Sequence, residues 1–238
     1  MIMDCRPFFF KKFALFHHRS TMKIGTDAIL LARWVEVSEN DDVLDIGTGC
    51  GLLPLMLAQK GVGRVDAVDI DAASVEEATV NFSASQWRDR LQAYCADIVD
   101  FTTDRKYNVI VSNPPFFNRY SKCVSDRKSR ARHNDAGLSY ASICSVVGRL
   151  MQSDGHFALV LPINVSDEFL EEAARSRLYL HKRMTIIPIE GKEPNRVNLE
   201  LGFNEMPKIV EETFVIRAAD KRFTSQYNEF LKAYYLGL

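Results

Sequence analysis

Short apolar runs alternate with helix-like stretches along the chain from residue 42 onward. Four runs rich in β-branched and other apolar residues have the character of strands: 42–46, 64–70, 91–98 and 107–113. Helix-like stretches at 52–60 and 72–85 separate the first three of these runs. Such alternation is typical of parallel strands joined by crossover helices. We therefore predict an α/β fold with a parallel sheet and helices on both faces.

The second half of the chain continues this pattern and then changes it. The predicted elements are a helix at 137–152, a strand at 155–162, a helix at 166–176 and strands at 178–189 and 195–203. No helix separates the last two strands, so they should form a closing hairpin that adds one antiparallel strand to the sheet. The prediction is therefore a seven-stranded, mostly parallel sheet. Residues 212–217 are a candidate for a further edge strand, and 225–238 for a terminal helix.

Length and composition favour one domain over residues 1–238. The chain is 47% hydrophobic, enough for one sizeable core. We divide it into an N-terminal extension (1–40), a core (41–203) that contains a loop at 117–136, and a C-terminal strand and helix (204–238). Five scattered cysteines without a C-x-x-C pair argue against a zinc site or disulfides and favour a reducing cytoplasm. No apolar run approaches the roughly 20 residues of a membrane span, so we expect no membrane association.

The charge of the chain is balanced overall but uneven locally. A net charge of −1 gives no global attraction to a polyanion, so contact with nucleic acid would depend on local patches. Two segments concentrate positive charge: Lys11, Lys12 and Arg19 near the N-terminus, and Arg119, Lys122, Arg127, Lys128, Arg130 and Arg132 in the loop. These patches are candidates for phosphate contacts, although a solvated surface loop would have the same composition.

A glycine-rich turn follows the first predicted strand of the core. The sequence DIGTGCG runs from Asp45 to Gly51, just before the helix that starts at Leu52. Glycines let a ligand approach the backbone closely at the carboxyl end of a strand, where open α/β sheets bind their ligands. The spacing is G-x-G-x-G, with Leu52 where a dinucleotide fingerprint has its third glycine, so a pyrophosphate cradle is disfavoured. An ordinary tight turn is the alternative.

Acidic residues end the next two strands. Asp69 lies 18 residues after Gly51 and can accept hydrogen bonds from both hydroxyls of a ribose. Asp71 is better explained as the N-cap of the following helix. Asp97 ends the third strand and can accept from the exocyclic amine of an adenine, with Ile98 packing on the ring. Solvated strand-end acids are the structural alternative for Asp69 and Asp97.

The fourth strand ends in Asn113-Pro114-Pro115-Phe116, an unusual sequence for the end of a strand. The Asn113 side chain and the Pro114 carbonyl provide two acceptors in a turn whose prolines restrict its shape. Two such acceptors suit the two N–H bonds of a planar amino group. Phe116 offers a face on which a nucleobase can stack, a contact worth about 1–3 kcal/mol. The sequence therefore predicts a site for an exocyclic amine.

Together these residues resemble the class I S-adenosylmethionine-dependent methyltransferases, specifically the amino-methylating branch with the motif [DNS]-P-P-[FYW]. The resemblance covers about residues 40–203 and implies a Rossmann-like fold. It implies catalytic roles for Asn113, Pro114 and Phe116, which would hold the amine that receives the methyl group. It implies that S-adenosyl-L-methionine is bound by Asp45, Gly47, Gly49, Gly51, Asp69, Ile70, Asp97, Ile98 and Asn113.

The N-terminal segment FFFKKFALFHHRSTMKIGTDAILLARW, residues 8–34, is similar to that of the bacterial tRNA1(Val) adenine-N6 methyltransferases. PNRVNLELGF, residues 194–203, is similar to the closing strand of that family. In the family the K-x-G-T-D segment lies against the cofactor, which implicates Lys23, Gly25, Thr26 and Asp27 as a cofactor-covering segment. Many members have Tyr at the fourth position of the amine motif, where this chain has Phe116.

The resemblance implies N6-methylation of an adenosine in the anticodon loop of tRNA1(Val), next to the anticodon on its 3′ side. It implies S-adenosyl-L-homocysteine as product, no metal, tRNA as the partner and no obligate protein partner. Three other substrates remain open for the same chemistry: the N2 amine of a ribosomal RNA guanine, a DNA adenine and a protein glutamine. A non-catalytic RNA-binding protein on this fold is the alternative from another functional class.

Overall fold

A computed structural model of the chain describes residues 6–20, 23–114 and 138–237. Its centre is an eight-stranded sheet, and a separate antiparallel pair, β1 (Phe8–Phe9) and β2 (Ala14–Leu15), precedes it. The strands of the sheet are β3 (Asp42–Ile46), β4 (Arg64–Asp69), β5 (Leu91–Cys95), β6 (Tyr107–Ser112), β7 (Met151–Pro162), β8 (Tyr179–Ile189), β9 (Arg196–Gly202) and β10 (Val210–Arg217).

The strands of this sheet are arranged in the order β10-β8-β9-β7-β6-β3-β4-β5. Only β9 runs against its neighbours: it is antiparallel to both β7 and β8, and the other described pairs are parallel. The predicted mostly parallel sheet with one antiparallel strand in a closing hairpin is therefore confirmed. The predicted count of seven strands is one short, because β10 pairs in parallel with the outer edge of β8.

Six α-helices cover the two faces of the sheet in the described part of the chain. They are α1 (Thr26–Trp34), α2 (Leu52–Lys60), α3 (Ala72–Ser83), α4 (Tyr140–Leu150), α5 (Ser166–Arg175) and α6 (Ser225–Leu231). One buried apolar cluster joins α1, α2, α3 and α6 to one face, and a second joins α4 and α5 to the other. Within β6, Val109 belongs to the first cluster and Ile110 to the second. Because strands such as β6 are buried on both faces, their sequences are continuous apolar runs.

Three differences from the predicted elements are longer than three residues. Helix α1 lies in the N-terminal extension, for which no helix was predicted. Helix α6 ends at Leu231, although the helix was predicted to reach 238. Strand β7 begins at Met151, four residues before the predicted start, because Gly155 is inside the strand and packs against β6. A Cβ atom at Gly155 would lie 2.8 Å from the Asn108 carbonyl oxygen. The pairing of β6 with β7 shifts register at this point, which explains a turn-like sequence inside a strand.

The N-terminal extension packs against the C-terminal end of the chain. The ring of Phe10 stacks on Phe13 at a centroid distance of 4.5 Å and on Tyr235 at 5.8 Å. The backbone N–H of Lys11 donates to the Tyr234 carbonyl at 2.7 Å. Residues beyond this contact, from Phe16 to Ser20, run across α3 toward the glycine-rich turn, as the hydrogen bonds described below show.

Candidate active site

The glycine-rich turn lies at the carboxyl end of β3, at the centre of the sheet. Gly51, the last residue of the turn, has φ 85°, a conformation that L side chains rarely adopt. A Cβ atom there would lie 2.5 Å from Cε1 of Phe82 on α3. At Gly47 and Gly49, by contrast, an added Cβ would meet no atom within 4 Å. The turn is therefore packed tightly on α3 at its end, and its first two glycines border open space that a ligand can use.

The carboxylate of Asp69 at the end of β4 fixes the shape of this turn. Its Oδ2 accepts the backbone N–H of Gly49 at 2.8 Å, and its Oδ1 accepts the N–H of Asp71 at 2.9 Å. Each carboxylate oxygen can accept more than one hydrogen bond, so Asp69 retains acceptor capacity for ribose hydroxyls. The neighbouring Ile70 is 70% exposed. Asp71 accepts the N–H of Ser74 and caps α3, as predicted.

Asp45 lies under the turn as a fully buried carboxyl group. Burial raises its pKa to about 7; the nearby Thr48 hydroxyl opposes this rise and the charge of Asp69 adds to it. Neither carboxyl oxygen has a well-formed hydrogen bond within the described residues. A buried carboxyl group without a partner is costly, so a cationic ligand group placed here would be stabilised. This acceptor suits the ammonium group of the methionine part of S-adenosyl-L-methionine.

The end of β5 differs in one detail from the prediction. Asp97 is exposed, and its Oδ1 accepts the backbone N–H of Val99 at 2.9 Å, which shapes the turn. Ile98 is only 7% exposed and belongs to the apolar core, so it offers little surface to a ring. Val99 is 49% exposed on the same turn. Val99 is not among the predicted site residues, because alternation alone does not show which way a turn residue faces.

A side-chain hydrogen bond joins the amine motif to the glycine-rich turn. The buried hydroxyl of Ser112, the last residue of β6, donates to the Ile46 carbonyl at 2.8 Å. Asn113 and Pro114 follow directly and are half-buried. The Asn113 Oδ1 atom is buried and has no hydrogen-bond partner among the described residues, so a donor group that reaches it would be stabilised. Phe116 and the six basic residues of the 117–136 loop lie outside the described residues.

Two polar side chains of α3 hold the N-terminal extension beside the site. The Glu77 carboxylate is 3% exposed and accepts three consecutive backbone N–H groups: His18 at 2.7 Å, Arg19 at 3.0 Å and Ser20 at 2.9 Å. Burial opposes ionisation of Glu77, but these donors outweigh it and hold the pKa of the carboxyl below its usual value. The Asn81 amide donates to the carbonyls of Phe16 and Cys50, both at 2.8 Å. The extension is thereby attached to the same helix and turn that form the site.

The predicted cofactor-covering segment leads into α1. Gly25 is the N-cap residue of this helix, and Lys23 and Thr26 are exposed. Asp27 in the first turn accepts a hydrogen bond from Nε of Arg196 at 2.8 Å. Arg196 begins β9, so it joins the segment to the carboxyl edge of the sheet. Three further residues, Arg196, Glu77 and Asn81, were not predicted from sequence, because their partners are distant along the chain.

Three basic residues of the extension, Lys11, Lys12 and Arg19, are predicted RNA contacts. The Lys11 ammonium donates to the Lys232 carbonyl, so this residue packs against the C-terminal segment. Lys12 is exposed. Arg19 forms an exposed ion pair with Glu76 at 3.0 Å. In the described parts of the chain, no three His, Cys, Asp or Glu side chains cluster as a metal site would require. The described helices include none with the length and apolar character of a membrane span.

Comparisons with known proteins agree with this arrangement. Residues 11–127 match the methyltransferase small domain family. The fold is similar to that of a predicted O-methyltransferase from Agrobacterium tumefaciens, with a TM-score of 0.67 and 18% identity over 90% of this chain and 100% of that one. It is also similar to a ribosomal protein L11 methylase from Lactobacillus delbrueckii subsp. bulgaricus, with a TM-score of 0.53 and 16% identity over 74% of this chain and 75% of that one.

Curated relatives match nearly the whole chain. A tRNA1(Val) (adenine(37)-N6)-methyltransferase from Phocaeicola vulgatus is 38% identical over 98% of this chain and 99% of its own. Proteins of the same name from Pectobacterium carotovorum and Bacteroides thetaiotaomicron are 37% and 36% identical, covering 96% and 98% of this chain and 93% and 98% of their own. With this similarity along its length, and with the amine motif beside the glycine-rich turn, the chain belongs to the tRNA1(Val) (adenine(37)-N6)-methyltransferase family.

Proposed function

We propose that this protein methylates the N6 amine of adenosine 37 in tRNA1(Val), using S-adenosyl-L-methionine as the methyl donor. The observation that carries the proposal is the pairing of two features at adjacent strand ends. An asparagine whose buried side-chain oxygen has no partner among the described residues follows β6, and the glycine-rich turn follows β3. The Ser112 to Ile46 hydrogen bond joins the two strands at that level. The full-length similarity to enzymes of that name identifies the target.

The turns after β3, β4 and β5 would bind the methyl donor. The Asp45 carboxyl would accept from the donor's ammonium group, and Asp69 would accept from its ribose hydroxyls while holding the Gly49 N–H. Asp97 and Ile70 would border the adenine. When bound, S-adenosyl-L-methionine supplies a methyl group on a sulfonium, and S-adenosyl-L-homocysteine is the product. An excellent leaving group is then present, so the contribution of the protein is positioning and electrostatics.

The amine motif would have to activate a poor nucleophile, because the lone pair of an adenine amine is delocalised into the ring. Acceptors at the Asn113 side chain and the Pro114 carbonyl would orient both N–H bonds and favour a pyramidal nitrogen. They would also stabilise the positive charge that develops on nitrogen during in-line attack. Phe116 would stack on the base. After transfer the nitrogen is acidic enough to lose its proton to water, so no general base is assigned.

The substrate base must leave its stack to reach this site. Enzymes that act on bases turn the target nucleotide outward into a pocket, and recognition then depends on contacts to flanking phosphates. Lys11, Lys12 and Arg19 of the extension and the basic loop at 117–136 would supply these contacts. The working partner is tRNA without an obligate protein partner, and the cytoplasm, where tRNA is modified, is the proposed location.

The test is methyl transfer from labelled S-adenosyl-L-methionine to two tRNA1(Val) transcripts that differ only at position 37. We expect transfer to the transcript with adenosine 37 and background transfer to the one with guanosine 37. Equal transfer to both would contradict the assigned nucleotide. A ribosomal RNA fragment and double-stranded DNA are tested as further methyl acceptors. Greater methyl transfer to either of them than to tRNA1(Val) would identify it as the substrate in place of tRNA.

A further inference from the structure

The beginning of α1 is held by an ion pair whose partner lies far along the chain. Nε of Arg196 lies 2.8 Å from Oδ2 of Asp27, and the two side chains are 29% and 28% exposed. The N-cap residue, Gly25, has no side chain with which to cap the helix. The first turn of α1 is therefore joined to the sheet edge by Asp27 in addition to the buried side chains of Ala28 and Ile29. The ion pair is shielded enough from water to matter more than a fully exposed one.

The position of Arg196 places this attachment at the edge of the active site. Arg196 pairs with Pro162, the last residue of β7, and β7 lies between β9 and β6 in the sheet. Two inter-strand steps correspond to about 10 Å between Arg196 and the strand that ends in the amine motif. The residues just before Asp27, Lys23 to Thr26, connect the extension on α3 to this edge. The ion pair is thus at one end of the segment proposed to cover the methyl donor.

An arginine is suited to this position because it bonds in two directions at once. While Nε donates to Asp27, Nη1 donates to the Asn195 carbonyl at 3.0 Å, within the turn between β8 and β9. The planar guanidinium keeps these donors in a fixed relation, which a lysine ammonium on a flexible stem does not. The Asn195 carbonyl also accepts the Ile163 N–H at 3.2 Å, which joins the turn to the end of β7. Arg196 therefore couples Asp27 to a turn that is hydrogen-bonded to the end of β7.

We infer that Arg196 is a positioning residue for cofactor binding: through Asp27 it sets the start of α1 and the covering segment at residues 23–27. This inference rests on the proposed cofactor role of that segment. Arg196 does not act on the reacting atoms. Its loss should weaken binding of S-adenosyl-L-methionine and S-adenosyl-L-homocysteine and leave the interaction with tRNA unchanged.

The experiment compares Arg196→Gln, Asp27→Asn and the double variant in the full-length chain. Isothermal titration calorimetry measures the Kd for S-adenosyl-L-homocysteine, which requires no RNA and no turnover. We expect about a tenfold increase in Kd for each single variant, since a hydrogen bond to a charged group contributes on that order. The double variant should bind no more weakly than either single one, because both remove the same interaction. The control is Lys192→Gln, which removes a charge from the same turn. Its Kd for S-adenosyl-L-homocysteine should stay within twofold of the parent value.

Two other results would overturn the inference. If Arg196→Gln leaves the Kd for S-adenosyl-L-homocysteine unchanged and raises the KM for tRNA with a smaller salt dependence, Arg196 is a phosphate contact. If it lowers the melting temperature with the Kd unchanged, its role is structural only. Arg196→Lys keeps the charge and serves where Arg196→Gln fails to fold: a Kd equal to the parent value would refute the need for the two-directional guanidinium. A chain that binds the cofactor normally but does not methylate tRNA1(Val) would contradict the proposed function and not this inference.

Discussion

Replacing Glu77 with glutamine removes the negative charge that holds residues 18–20 on helix α3. The carboxylate lies in the first half of α3 and is almost completely buried, and the backbone N–H groups of His18, Arg19 and Ser20 point to it. Glutamine has nearly the same shape, so the substitution leaves no cavity. It replaces one carboxylate oxygen with an NH2 group, which cannot accept a hydrogen bond.

The expected loss of stability follows from these three bonds. Glu77 Oε1 accepts from His18 and Arg19, and Oε2 accepts from Ser20. A glutamine oxygen in the Oε1 position keeps two hydrogen bonds. Each of them changes from a charge-assisted to a neutral bond, which costs about 1 kcal/mol per bond. The Ser20 N–H then faces an NH2 group, a loss of about 1.5–3 kcal/mol. Since residues 18–20 can move away to recover hydration, we expect a net loss of about 3 kcal/mol.

Urea unfolding monitored by tryptophan fluorescence measures this loss, and the adjacent glutamate provides the control. The Glu76 side chain is 61% exposed, and it forms an ion pair with the exposed guanidinium of Arg19. Glu76→Gln should therefore change the free energy of unfolding by less than about 0.5 kcal/mol. If Glu77→Gln costs no more than Glu76→Gln, the hydrogen bonds of Glu77 do not hold the extension.

The effect should also depend on pH in a defined direction. The pKa of the Glu77 carboxyl is lower in the folded chain than its usual value of 4.5. A group of this kind stabilises the folded state fully above its unfolded pKa, and the contribution is lost as the pH falls through the folded pKa. The difference in unfolding free energy between the parent chain and Glu77→Gln should therefore be constant from pH 8 to about pH 6 and shrink below about pH 4.5. A difference that grows in acid would refute the assignment.

Four further outcomes are expected. Asn113→Ala should lower kcat by about 10² to 10³, as loss of a transition-state acceptor does, while calorimetry shows S-adenosyl-L-methionine still bound; near-normal kcat would remove its role. Asp69→Ala should raise the Kd for S-adenosyl-L-methionine at least about tenfold, and an unchanged Kd would exclude it from the site. Gly51→Ala, whose Cβ would lie 2.5 Å from Phe82, should lower the unfolding free energy by about 2 kcal/mol, unlike Gly148→Ala, which meets no atom within 4 Å. Neutralising the four basic residues within 127–132 should reduce the slope of log tRNA affinity against log salt by about 3; an unchanged slope would exclude phosphate contacts there.

The central strands could be predicted from sequence because they are buried on both faces. Runs such as 42–46 coincide with a strand of the sheet to the residue, and the glycine-rich turn after it identifies the carboxyl edge. The start of β7 could not be predicted, because Ser153, Asp154 and Gly155 form a turn-like sequence inside a strand that shifts register. Helix α1 was missed because its centre, Ala28 to Ala32, is a continuous apolar and buried run, without the alternation of faces that marks a surface helix.

Some residues of the candidate site could likewise be predicted from sequence, and others could not. Asp45, Asp69 and Asn113 could be proposed from sequence because each follows or ends a recognisable strand. Glu77, Asn81 and Arg196 could not, because the contacts that reveal their function join residues 31 to 169 positions apart. Local spacing does not show that a helix glutamate is buried against another segment's N–H groups. Contacts that attach the extension to the core are therefore visible only once the sheet order is known.

The central claim is that this chain transfers a methyl group to an exocyclic adenine amine of tRNA. The most direct test incubates the purified protein with labelled S-adenosyl-L-methionine and a mixture of total tRNA, ribosomal RNA and DNA, followed by nucleoside mass spectrometry of each fraction. We expect labelled N6-methyladenosine in the tRNA fraction, formed at an initial rate at least about 10²-fold lower with Asn113→Ala. Labelled N2-methylguanosine in ribosomal RNA, or label in DNA alone, would contradict it.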